Sequence, residues 1–226
     1  MSMGSYLIYF AVLLILPLWA QSKVRGAYSK YSKVPTSTQL TGVQVARQIL
    51  DENGLYDVQI EEVKGVLTDH YDPRKKVVRL STGNYYGRTM AAAAVAAHEV
   101  GHAIQHAEEY TFLKFRTTLV PMASFGSSTA IWIILAGLLF QMSGLMLVGI
   151  IFMAFAVLFQ LVTLPVEFNA SSRAMDQLVM TGIIQNNEER DTKKVLDAAA
   201  LTYVAAALVA VAELLRFILI FIAGRE

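Results

Sequence analysis

The stretch AAAAVAAHEVGHAIQHAEE, residues Ala91–Glu109, holds three of the chain's four histidines, at His98, His102 and His106. Its alanines favour a helix, and the pattern predicts one over Met90–Ala107. On a helix, positions i and i+4 lie one above the other on the same face. His98 and His102 can therefore aim two imidazoles at one point. With Glu99 they spell H-E-x-x-H, in which two histidines hold Zn2+ and the glutamate acts on a bound water. Glu99 lies about 100° round the helix from His98, so it can approach that water without ligating the metal. A bilayer is a costly place for three imidazoles and a carboxylate, and alanine is only weakly hydrophobic. The helix is expected inside a small folded domain, where small side chains let neighbours come close.

Catalytic zinc takes three protein ligands and a water. The chain has no cysteine, so the third must be His, Asp or Glu. His106 is excluded: it sits about 12 Å along the helix axis from His98, while zinc–nitrogen bonds are only about 2.1 Å long. Glu167 is the best third ligand, with Asp176 the alternative. A long excursion between the His helix and this residue costs little, because loop-closure entropy grows only logarithmically with length.

That excursion is apolar. Of 226 residues 55% are hydrophobic and 16% charged, and the net charge of +1 argues against nucleic acid as a partner. Four apolar runs, Tyr6–Ala20, about Leu119–Met142, Gly144–Leu164 and Leu201–Ala223, are each long enough to cross a bilayer. The first reads as a retained anchor rather than a cleaved leader. Lys23, Arg25, Lys30, Lys33, Lys114, Arg116, Arg173, Lys193 and Lys194 all fall on one side if every run crosses, and that side should be cytoplasmic. The N-terminus and the tail ending Arg225–Glu226 are then expected outside. The second and third runs form a hairpin that returns the chain to its starting face, so the His helix and Glu167 can share one cytoplasmic site. The expected organisation is an anchor (1–21), a cytoplasmic domain (22–118), a hairpin (119–164), a helical segment bearing the third ligand (165–200) and a last span (201–226). Glu213 and Arg216, inside that last run, are expected to pair.

Within the cytoplasmic parts, residues 22–37 read as a basic connector at the headgroup surface. LTGVQVARQILDENG has helical spacing, with Thr41 as N-cap and Asn53-Gly54 as stop. YDVQIEEV and KVVRLS read as strands, the second preceded by the turn DPRKK. A new helix is expected to begin at Pro165.

LTGVQVARQIL, LTDHYDP, VRLS, VAAHEVGHAIQHAEEY and LPVEFNASSRA, in this order over nearly the whole chain, resemble the bacterial YugP-type family of membrane zinc metallopeptidases. The resemblance places that family's ligands and base on His98, Glu99, His102 and Glu167. A more distant similarity is to HtpX- and prenyl-protein-protease-like gluzincins, which read E-F-x-A-D where this chain reads EFNAS, with Ser171 in place of the aspartate. Asn169, Ser171 or Asp72 is then the expected partner of a ligating histidine. The resemblance implies a mainly α membrane protein with about four transmembrane helices and a small α+β, zincin-like cytoplasmic domain. It implies one Zn2+ per chain, and a polypeptide substrate in or near the membrane. His70, Tyr71 and Arg173 are candidate donors to the oxyanion, and VLTDHYD is a candidate edge strand for an extended substrate. Two alternatives stand: an intramembrane zinc protease, whose third ligand would be an Asp in another span although none of the four runs contains one, and a non-catalytic zinc-binding scaffold.

Overall fold

The structure, a computed structural model, describes residues 3–224. Met1, Ser2, Arg225 and Glu226, part of the ends expected outside the cell, lie beyond the described residues. The elements run α1 (Met3–Tyr31), α2 (Gly42–Glu52), β1 (Gln59–Val63), β2 (His70–Asp72), β3 (Val77–Ser81), α3 (Thr82–Tyr85), α4 (Met90–Ala107), α5 (Thr111–Leu139), α6 (Ser143–Met180) and α7 (Asn186–Ala223). They divide into two compact units. One holds the chain up to Trp19, Thr111–Pro165 and the chain from Tyr203; the other holds Ala20–Tyr110 and Val166–Thr202.

The first unit is all helical. Among the described residues, α5, α6 and α7 are long and apolar enough to cross a membrane. α5 and α6 form a hairpin through a turn at Gln141, and glycine lets them touch: a Cβ on Gly126 would collide with the Phe152 carbonyl oxygen. Ile134, Met146, Ile150 and Phe217 are buried together, whereas Trp132, Leu139 and Phe140 face outward. The guanidinium of Arg216, expected to pair with Glu213, lies over the rings of Phe217 and Tyr9 at 4.6 and 4.9 Å.

The second unit is built around α4. Helix α2 begins as its sequence predicts: the Thr41 side chain accepts from the Gln44 amide and the Gln44 side chain accepts from the Thr41 amide, closing a capping box. It ends at Asn53, with Gly54 at φ 71°. In the sheet, β3 is central, parallel to β1 and antiparallel to β2, so β1 and β2 are edges. Directly opposed residues share a face: Tyr71 with Val78 toward the core, His70 with Arg79 away from it. Val45, Ala46, Ile49 and Leu50 of α2, Val78 and Leu80 of β3, and the alanines of α4 make one hydrophobic core.

Several boundaries differ from the sequence reading. α1 does not stop at the first apolar run but continues to Tyr31, so most of the expected connector is helix. The reason is packing: Tyr31 is 2% exposed and its hydroxyl donates to Asp191. α5 begins at Thr111 rather than near 119. α6 runs through Pro165, where a new helix was expected. Proline removes one helical hydrogen bond, but Val166, Ala170, Ala174 and Leu178, each fully buried and four apart, pack the continuing helix onto the core. The short helix α3 was not anticipated.

Candidate metal centre

α4 carries His98, Glu99 and His102, and the segment of α6 just past Pro165 carries Glu167 and Ser171. The two segments run antiparallel, because rising numbers on α4 meet falling numbers on α6: His98 meets Ser171, and Gln105 meets Val166. They approach closely at Gly101, where a Cβ would stand 2.6 Å from the Ala170 carbonyl oxygen. Any side chain at position 101 would push α4 and α6 apart.

The approach brings three donors together. The Glu167 Oε2 lies 3.3 Å from His98 Nε2 and 3.5 Å from His102 Nε2, and one donor atom from each residue falls within 4.8 Å of the others. Glu167 is 2% exposed and each histidine is partly buried. Both rings are held from behind. His98 Nδ1 meets the Ser171 hydroxyl at 3.2 Å, and His102 Nδ1 meets the Gln105 side-chain oxygen at 3.0 Å. With each Nδ1 so engaged, the two Nε2 atoms and the carboxylate are left facing one another, as the ligands of one metal ion would be. Two imidazole nitrogens and one carboxylate oxygen match the donor set of catalytic zinc, with a position left for water.

The electrostatics agree. Burial works against ionisation of Glu167, but hydrogen bonds from His102 and His98 and their charge hold its carboxyl well below the usual range. Burial likewise opposes a charged His102, yet the Glu167 hydrogen bond and the Glu99 and Glu167 carboxylates raise it. The two shifts are the two sides of one interaction, the imidazoles and the carboxylate facing each other. Glu99, 8% exposed, goes the other way: burial pushes its carboxyl up, against the lowering influence of the two histidines.

The remaining sequence candidates are dispersed. Of the three residues offered as partners of a ligating histidine, Ser171 touches His98. Asn169 acts one step back, accepting from Gln105 and from Arg173 Nε at 2.8 Å. Asp72 is turned away, accepting from the Arg74 and Lys75 amides and from Arg79. Arg173 is spent on Asn169 and on Glu108, at 2.6 Å. His70 is exposed on the far face of the sheet beside Arg79. Tyr71 faces α4, and its hydroxyl meets His106 Nδ1 at 2.9 Å; burial and the nearby Asp57 and Asp72 push it up to about 12. It lines a cavity of about 240 Å3 with His106, Ala103 and Leu55. His106 and the exposed Asp176 are outside the three-donor cluster. Sequence reasoning overlooked Gly101 and Gln105. Gln105 is legible in hindsight: it lies three residues past His102, hence beside it on the helix, and is a lone amide in an alanine-rich face.

A family model described as "Putative neutral zinc metallopeptidase" matches residues 6–222. The chain belongs to this zinc metallopeptidase family. A curated relative from Bacillus subtilis (strain 168), "Putative membrane protease YugP", is 56% identical over 211 residues, covering 93% of this chain and 94% of that protein. No solved structure matches. The family implies zinc, and among the described residues His98, His102 and Glu167 are the ones that would hold it.

Proposed function

We propose that this protein is a membrane-embedded zinc metalloendopeptidase that cleaves membrane or membrane-proximal polypeptides at a cytoplasmic site. It holds one Zn2+ between His98, His102 and Glu167 and uses Glu99 as general base. The observation that carries the proposal is the convergence of both Nε2 atoms on the buried Glu167 carboxylate, beside a buried glutamate that is not part of the donor cluster. Zinc bound there would supply Lewis acidity toward the scissile carbonyl and a water of lowered pKa. Glu99 would take a proton from water and pass it to the leaving amine, and its burial favours a carboxylate that accepts protons readily. β2, at the edge of the sheet, is the strand on which an extended substrate would pair.

The relative named as a membrane protease and the three apolar helices support a membrane location. α1 would make a fourth span, with Phe10, Leu14, Ile15 and Leu18 exposed along it. The one-sided Lys and Arg residues support a cytoplasmic site with the N-terminus outside. The intramembrane alternative fares worse because α4 is buried in protein among α2, α3 and the sheet. A scaffold would have no use for Glu99.

The test is Glu99→Gln in the full-length protein in detergent, assayed on casein. Cleavage should fall at least about 100-fold with one zinc per chain retained, and chelation of the wild type should abolish cleavage reversibly. Undiminished cleavage by the variant would reject the assignment. Because the chain has no cysteine, single cysteines at Lys64 and Ser143, labelled with an impermeant maleimide, report the two sides directly; labelling of Lys64→Cys from outside intact cells would reject the orientation.

A further inference from the structure

We infer that Gln105 is a positioning residue that fixes the tautomer of His102 and couples it to the turn of α6 bearing Glu167. The inference rests on the zinc-site reading above and concerns a residue that the H-E-x-x-H pattern does not include.

Gln105 is fully buried, and its amide is completely used. Its Oε1 faces His102 Nδ1 at 3.0 Å, and its Nε2 faces the Val166 carbonyl oxygen at 2.8 Å and Asn169 Oδ1 at 2.9 Å. A carbonyl oxygen can only accept. Val166 therefore requires the NH2 end of Gln105 to face α6, and the reverse orientation would set oxygen against oxygen at both contacts. The same logic fixes Asn169. Arg173 Nε can only donate, so it holds the Asn169 oxygen in place at 2.8 Å, and Arg173 is itself held by Glu108 at 2.6 Å. With its NH2 turned to α6, Gln105 presents an oxygen to His102. The Nδ1 of His102 must then carry a proton and donate it, which keeps Nε2 as the ring atom aimed at Glu167 and the one that can exchange its proton for a metal.

The direction of each hydrogen bond is thus set from the Arg173 end and read out at His102. The chain also joins the two halves of the donor set. Val166 immediately precedes Glu167, so the amide that orients the imidazole also anchors the backbone that presents the carboxylate. His98, by contrast, leans on the Ser171 hydroxyl, which can donate or accept and imposes no tautomer.

The experiment uses full-length protein purified in detergent. Gln105→Met keeps length and removes both polar ends. Zinc affinity, measured by competition with a chelator of known strength, should fall about 10- to 100-fold, as when partners of ligating histidines are removed elsewhere. In 15N-histidine-labelled protein with only four histidines to assign, the His102 Nδ1–H should carry the shift of a hydrogen-bonded proton in wild type and lose it in the variant. A merely structural role would not move that signature. If Gln105→Met does not fold, Asn169→Ala removes one of the two acceptors and should shift affinity and signature the same way, less far. Wild-type zinc affinity or an unchanged His102 signature in whichever variant folds overturns the inference. Failure of the wild type to bind zinc would instead overturn the proposed function.

Discussion

Replacing Gly101 with alanine adds one carbon where the structure has no room for it. The new Cβ would lie 2.6 Å from the Ala170 carbonyl oxygen, 3.2 Å from its carbon and 3.3 Å from its Cα, whereas ordinary contact begins at 3.4 Å. The obstacle is backbone, not the tip of a side chain, so α4 and α6 must part by about 0.8 Å. Metal–ligand distances tolerate only about 0.2 Å, and the displaced residue lies three positions from Glu167. Zinc affinity should fall at least about tenfold, equivalent to about 1.4 kcal/mol. Stability pulls both ways: alanine is better in a helix by about 0.5–1 kcal/mol, while overpacking costs about 1–3 kcal/mol. The zinc-free protein should therefore lose between about 0 and 2.5 kcal/mol. Chelator competition gives the first quantity, and thermal unfolding in detergent with and without zinc gives the second. A Gly101→Ala protein that binds zinc and cleaves casein like wild type would refute the idea that this close approach sets the site.

His106→Ala should leave one zinc per chain, because His106 lies outside the donor cluster, and should cost about 0.5–1.5 kcal/mol through loss of its hydrogen bond with Tyr71; loss of zinc measured by atomic absorption would contradict this. Glu188 is buried, and burial opposes its ionisation, but the Gln185 and Ser37 amides donate to it and hold its carboxyl below the usual range. A depressed carboxyl stabilises the fold above its unfolded pKa of about 4.3, and that stability is lost as pH falls through the folded value. Glu188→Gln should thus cost about 1.5–3 kcal/mol at pH 7 and show a flatter acid-unfolding profile than wild type; parallel profiles below pH 5 would refute the role.

The elements legible in the sequence are those whose signals are local. The α4 boundaries, the Thr41 cap, the Asn53-Gly54 stop and the two longer strands follow from spacing and from which residues can supply a cap or a positive φ. At two of the points of difference, distant contacts override local preference. α1 runs on because Tyr31 finds Asp191, 160 residues away. α6 ignores Pro165 because a buried stripe four residues apart outweighs one missing hydrogen bond.

The candidate site divides along the same line. Sequence alone determined that two imidazoles share one helical face with a glutamate beside them, because a helix repeats every 3.6 residues whatever surrounds it. It also determined that the third donor had to come from elsewhere, since His106 is too far along the axis. Only the tertiary structure decided which of the polar residues after the third apolar run turns inward. It brings Glu167 and Ser171 to the histidines, leaves Asp176 exposed and Asp72 on another face of the sheet, and spends Arg173 on Asn169. The physical reason is that ligation and ring support depend on the distance and rotation between α4 and α6. Those are set by the packing of Gly101 on Ala170 and by the three bonds of Gln105, neither of which leaves a periodic trace in the sequence.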